Sequence, residues 1–134
     1  MASFLMHPYK WCVEYEGRFI GKAGLKVNEK DRRARYSVGL YDPTILNKGI
    51  GTEITQLILQ FAFDELQLHR VDLRVLEFNT RAISCYEKCG FVKEGIERDG
   101  ALIDNQYYSD WVMSILEEEY KGIKASFTPM RIMY

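Results

Sequence analysis

The chain has 134 residues, 47% of them hydrophobic and 28% charged, with a formal net charge of −1. That length supports one hydrophobic core and not two comfortable ones, so a single domain over 1–134 is expected, with a core at 10–120 and a tail at 121–134. So even a charge leaves no electrostatic footprint for nucleic acid or an acidic membrane, and no apolar run approaches the ~20 residues of a membrane span.

Met1 to Trp11 has neither the basic start nor the apolar stretch of a signal peptide, which points to a cytoplasmic protein. Three cysteines, Cys12, Cys85 and Cys89, fit reduced thiols in a reducing compartment, and no disulfide is expected. Cys85 and Cys89 stand at i and i+4 on a predicted helix. No second half of a ligand set accompanies them, so packing explains them better than a metal, and none is expected.

Trp11, Val13 and Tyr15 alternate with Cys12, Glu14 and Glu16, the period of a first strand, and Gly17 marks a turn. Arg18 to Val27 reads as a second strand with Gly21 and Gly24 as bulge or close-packing points. After a polar turn at Asn28 to Arg32, Ala34, Tyr36, Val38 and Leu40 mark a third strand, ended by Asp42-Pro43. A helix then runs to about Leu68, its apolar face built from Ile54, Leu57, Ile58, Phe61, Ala62 and Leu66. Val71, Leu73 and Val75 form a short strand, reached by a crossover that suits parallel pairing.

A second helix starts at Asn79 or Thr80, either of which can cap it, and ends at Gly90. Phe91 to Glu97 and Tyr107 to Leu116 follow as two strands joined through Asp99-Gly100, forming a closing hairpin. Glu117 to Lys121 adds a helical turn, and Phe127, Met130, Ile132 and Met133 give the tail an apolar side that needs packing. The order β-β-β-α-β-α-β-β makes a mixed α/β domain around one β-α-β unit.

Leu46-Asn47-Lys48-Gly49-Ile50-Gly51-Thr52 leads straight into the first helix, with glycines at alternate positions. The first N–H groups of a helix have no acceptor within it, and the positive end of the helix dipole favours an anion such as phosphate. Lys48 adds a point charge. Alone, this pattern suits an empty strand-to-helix turn as well as a phosphate cradle.

A second motif decides between them: Asn79-Thr80-Arg81-Ala82, then Tyr86-Glu87-Lys88-Cys89-Gly90-Phe91. The two motifs in this order resemble the GNAT family of N-acetyltransferases. The subgroup most resembled includes ribosomal-protein N-terminal and spermidine acetyltransferases, and the likeness runs from about Trp11 to Tyr120. The resemblance implies splayed parallel strands and acetyl-CoA as acetyl donor. It puts the pyrophosphate on the backbone from Leu46 to Thr52, including Asn47 and Ile50, the pantetheine arm along Leu40 and Tyr41, and Asn79 on the same arm. The family usually has Gln or Arg where this chain has Leu46, which shifts weight to backbone groups and Lys48.

By the same resemblance Tyr86 is the general acid that protonates the departing CoA thiolate. Seven residues separate it from Asn79, about two helical turns, so both look to one side. The acceptor is a primary amine, on a small molecule or a peptide, attacking in its neutral form. An α-amine of pKa ~8 needs little help, whereas one near ~10.4 needs a base. Glu77 is the first choice for that base, at the end of a strand beside Asn79. Asp110, an acidic position recurring in the closing hairpin of the subgroup, and Asp72 suit structural roles better, and His69 suits capping. Cys85 as an acyl carrier has only its thiol in its favour.

Members usually begin with a strand and helices ahead of Trp11, and an edge left unpaired by their omission predicts a homodimer. The competing function is a CoA-binding regulatory or interaction module without turnover.

Overall fold

The computed structural model describes residues 9–41 and 49–127. Strands β1 (Lys10–Tyr15) and β2 (Arg18–Asn28) pair antiparallel about a turn at Glu16-Gly17. Along β1, half-buried Trp11, Val13 and Tyr15 alternate with exposed Lys10, Cys12 and Glu14, as the sequence period demands. Strand β3 (Arg33–Leu40) pairs antiparallel with β2, from Gly21 opposite Leu40 to Asn28 opposite Arg33. Gly21 is the close-packing point: a Cβ there would stand 2.1 Å from the Gly39 carbonyl oxygen. The register irregularity falls across from it, between Val13 and Glu14 of β1.

Helix α1 (Ile50–Gln60) continues into a wide π turn at Phe61–Glu65, where the Leu66 N–H donates to the Phe61 carbonyl at 3.0 Å. Widening inserts an extra residue in the turn and swings the following side chains around the axis. Ile50, Thr55, Ile58, Leu59 and Gln60 are buried before the widening and Ala62 and Phe63 within it, while Ile54, Phe61 and Leu66 pack at the margin and Leu57 stays half-exposed.

Strand β4 (Arg70–Leu76), helix α2 (Thr80–Lys88), strands β5 (Val92–Ile103) and β6 (Gln106–Leu116), and helix α3 (Glu117–Ile123) complete the order. The sheet has six strands in the order β1-β2-β3-β4-β6-β5. The closing hairpin is longer than the sequence suggests. It turns at Asp104-Asn105, both with positive φ, as a tight two-residue loop requires. Asp99-Gly100, expected as the turn, is instead a bulge within β5, where the register shifts between Glu97 and Ala101. In the tail, Phe127 is buried and packs its ring against Tyr120 at 5.9 Å. Met130, Ile132 and Met133 lie outside the described residues, as does Asp42-Pro43.

The main core lies between one sheet face and the helices: Ala34, Tyr36, Val71, Leu73, Met113 and Ile115 from the strands meet Ile58, Leu59, Ile83 and Tyr120. The opposite face carries Arg33, Arg35, Asp72 and Ser114. Among the described residues no helix is long and apolar enough to cross a membrane.

Candidate active site

The feature that makes room for a site is the parallel pair β3–β4. Only three residue pairs hold it, Arg33 with Arg70, Ala34 with Val71 and Arg35 with Asp72. Beyond Arg35 the strands part, so the edge of β3 from Tyr36 to Leu40 has β2 on one side and, among the described residues, no strand partner on the other. The strands are pinned where they do touch. The Asp72 carboxylate, almost fully buried, receives Arg35 at 2.8 Å, Arg33 at 2.5 Å and Arg70 at 3.1 Å. Where the strands separate, a cleft of about 750 Å³ opens, lined by β3, the start of α1 and one side of α2.

At the start of α1, Gly49 takes the left-handed conformation, φ +74°, which favours glycine even though a Cβ would meet nothing within 4 Å. No side chain caps this terminus among the described residues, so the N–H groups of Ile50, Gly51 and Thr52 face the cleft end of the helix without intrahelical acceptors. A short relay holds them in place. Thr55 Oγ1 donates to the Gly51 carbonyl at 2.7 Å, so the Tyr36 hydroxyl, 3.0 Å away, must be the donor to Thr55. Burial keeps the Tyr36 phenol protonated, well above its ordinary range.

On α2, Asn79 Oδ1 accepts the Ala82 N–H at 3.2 Å, a side-chain N-cap. Asn79 and Tyr86 both line the cleft. The Tyr86 ring is gripped edge-on by Tyr36 at 6.3 Å and by Phe91 at 5.8 Å, while its hydroxyl makes no hydrogen bond among the described residues. Burial, followed by the nearby Cys85 and Cys89, pushes its phenol up to about 12. Cys85 also lines the cleft; its thiol is held below the ordinary value by hydrogen bonds from Cys89 and from Thr52, 3.3 Å away, with Lys88 adding to the effect.

Leu40, Gly49, Gly51, Thr52, Asn79 and Tyr86 thus meet at one cleft. Other expected site residues do not line it. Tyr41 is 61% exposed and packs at a tilt against Phe19 instead, ring centroids 5.8 Å apart. The Ile50 side chain is buried against Ile20, which leaves its backbone as its only group for a ligand. Glu77 is exposed, and its N–H donates to the Ser109 carbonyl at 3.0 Å in the turn after β4. Leu46, Asn47 and Lys48 lie outside the described residues. Of the bases weighed, Asp72 is occupied by its arginines, and His69 sits 3.3 Å from Glu117 at the start of α3.

Two cations that the sequence reading passed over, Arg81 and Lys88, line the cleft, and no carboxylate does among the described lining. Their spacing of seven, matching that of Asn79 and Tyr86, was the available signal: two parallel stripes on one helix. The arrangement suits an extended, anionic ligand. Its phosphates would find the α1 terminus and these two cations, and its chain would find the free edge of β3.

A splayed parallel pair, an uncapped helix start and a half-buried tyrosine meet in a six-stranded mixed α/β fold. Residues 3–91 match the acetyltransferase (GNAT) family, and the chain belongs to that family. It is 30% identical over 112 residues to the spermidine N(1)-acetyltransferase of Escherichia coli (strain K12), covering 83% of this chain and 60% of that protein. It is 39% identical over 72 residues to the Probable N-acetyltransferase YjcK of Bacillus subtilis (strain 168), covering 54% of this chain and 40% of that one. The chain therefore spans about half the length of these curated relatives. A dodecameric spermidine N-acetyltransferase from Vibrio cholerae superimposes with a TM-score of 0.79 at 28% identity, over 89% of this chain and 71% of that one.

Proposed function

We propose that this chain is an acetyl-CoA-dependent N-acetyltransferase domain that transfers the acetyl group to a primary amine by direct attack. The observation carrying this reading is the cleft, where an unpaired strand edge, an uncapped helix start and Tyr86 meet. The backbone of Gly49 to Thr52, with Arg81 and Lys88, suits the cofactor's phosphates, and the β3 edge around Val38 and Leu40 suits the amides of the pantetheine arm. Asn79 has its Oδ1 committed to the helix cap, so Nδ2 is the group it offers that arm.

In the reaction, the neutral amine attacks the thioester carbonyl, a tetrahedral adduct forms, and its collapse breaks the C–S bond. Tyr86 donates to the departing sulfur. With its phenol near 12 and a thiol near ~8.5, complete transfer of the phenolic proton would be uphill by about 5 kcal/mol. Tyr86 therefore assists as a hydrogen-bond donor to the charge as it develops on sulfur, short of the full proton transfer expected of a general acid, and the proton that ends on the thiol comes from the attacking nitrogen. Glu77 reaches that nitrogen only through water. An acceptor whose amine is already neutral in part makes least demand on it.

A second reading, transfer through an acyl-Cys85 intermediate, is favoured by that thiol's place in the cleft and its lowered pKa. Intersecting initial-rate lines with varied acetyl-CoA and amine support direct attack; parallel lines support Cys85. A homodimer belongs to the same proposal, because β1 has no strand beyond it among the described residues.

Calorimetry with acetyl-CoA, joined to thiol release over peptide N-termini, polyamines, aminoglycosides and small metabolite amines, tests the whole. Polyamines come first because spermidine acetyltransferases stand among the relatives. Binding with release on at least one class is expected. Binding without release would make the chain a CoA-binding module, and absence of binding would reject the cofactor.

A further inference from the structure

Two thiols meet where the helices that frame the cleft touch. Cys85, half-buried, and Cys89, fully buried, stand one turn apart at the end of α2. The Cys85 sulfur lies 3.3 Å from Thr52 Oγ1 and 3.7 Å from the point where a Cβ on Gly51 would sit. It therefore rests on the first turn of α1, against the backbone whose N–H groups suit a phosphate. Cys89 hydrogen-bonds to Cys85, and its sulfur is 3.8 Å from the Thr52 carbonyl oxygen.

The pair is asymmetric. Its hydrogen bond to Cys85, followed by burial, keeps the Cys89 thiol protonated. Cys85 is the acceptor, and it shares the cleft lining with Lys88. A sulfur that receives hydrogen bonds beside a cation, in a cleft, has the surroundings of a reactive thiolate; a buried donor has those of an inert thiol. Packing, the role expected of both cysteines, thus fits Cys89 alone.

The cleft also chooses the reagent. Arg81 and Lys88 line it and no carboxylate does among the described lining, so an anionic molecule is drawn to this sulfur and a cationic one is not.

We propose that Cys85 is a reversible modification site, which takes a mixed disulfide from the disulfide of a small anionic thiol and thereby shuts the cleft to acetyl-CoA. The shutting rests on the N-acetyltransferase reading above; the reactivity of Cys85 does not. The Cys85 thiolate attacks one sulfur of the reagent, a new S–S bond forms and the old one breaks. Cys85 is oxidised, and the departing sulfur is reduced, leaving as a thiolate that takes a proton from water. The attached group lies over Gly49 to Thr52, where the pyrophosphate would bind. Cys89 keeps its proton and does not attack the new disulfide, so the adduct lasts until an external thiol removes it.

The test treats the full chain with oxidised glutathione, which is anionic, or cystamine, which is cationic, and maps adducts by peptide mass spectrometry. Cys12, exposed on β1, is the internal reference. Oxidised glutathione should modify Cys85 about tenfold faster than Cys12, and faster than cystamine modifies Cys85. Saturating acetyl-CoA should slow the reaction at Cys85 about tenfold and leave that at Cys12 within about twofold. In Cys12→Ser, the glutathione adduct should weaken acetyl-CoA binding at least about tenfold by calorimetry, and dithiothreitol should restore it. Reaction at Cys85 no faster than at Cys12, a preference for cystamine, or a modified chain that binds acetyl-CoA as before overturns the proposal. If the untreated chain binds no acetyl-CoA, the N-acetyltransferase reading fails separately and the shutting fails with it, while the rates at the two cysteines still decide whether Cys85 is the modification site.

Discussion

The two ends of the β3–β4 pair share strands and differ in everything else. At one end three residue pairs and three arginines close on the buried Asp72; at the other the strands have no pairing and enclose a cleft. The closed end contributes stability, with polar groups fully matched. The open end keeps strand and helix groups unmatched, which is the condition for binding a ligand with its own donors and acceptors. A fold can leave an edge and a helix start unsatisfied because the same two strands are fastened a few residues away.

Asp72→Asn breaks the closed end most directly. Losing the carboxylate strands the Arg33 and Arg35 guanidinium groups while Arg70 keeps Glu94, and because these groups reach water the cost should be about 3 kcal/mol, at the low end for a broken buried pair. For a chain of this size that is about 10 °C in Tm, measured by calorimetry. Well below the new Tm, acetyl-CoA affinity should hold. A weakened affinity would show that the clamp also sets the splay.

Tyr86→Phe acts at the open end alone. It keeps the ring contacts with Tyr36 and Phe91 and removes the hydroxyl, so Tm should move little and acetyl-CoA should still bind. Turnover should fall about a hundredfold, the lower end for a proton donor that assists so good a leaving group. Unchanged kcat would remove Tyr86 from the mechanism. With the phenol pushed up to about 12, the activity profile should show no descending limb from Tyr86 at ordinary assay pH.

Acid should loosen the closed end by a smaller amount. Burial works against the charge of Asp72, but hydrogen bonds from Arg35 and Arg33 outweigh it and lower its pKa. Arg70, bonded to both oxygens of Glu94, holds that carboxyl at about 2. Both folded-state values are depressed, so their stabilisation is present above the unfolded value near ~4 and is lost as pH falls toward 2. Glu94 is largely exposed, and its share should be no more than about 1 kcal/mol. Thermal melts between pH 5 and 2 should show the loss, and Asp72→Asn should show less of it.

Much of this molecule could be read from local sequence. The alternation along β1 and β3, the Asn79 cap and the seven-residue spacing to Tyr86 are properties of short segments, and the structure has them as expected. Leu40, Gly49, Gly51 and Thr52 reach one cleft with Asn79 and Tyr86 because the order of strand, loop and helix admits few routes for the chain. Where two local signals competed, the reading failed. Asp99-Gly100 and Asp104-Asn105 are both turn sequences, and cross-strand pairing made one a bulge and the other the hairpin turn.

By itself, then, the sequence determined the elements, their order and the helix that presents Asn79 and Tyr86, because period, capping and turn chemistry act over a few residues. Tertiary structure alone decided how far β3 and β4 stay together, since the clamp joins residues up to 39 positions apart. It also decided which cations line the cleft and that Glu77 stays outside it. These depend on the separation and stacking of strands distant in the chain, which no local pattern encodes.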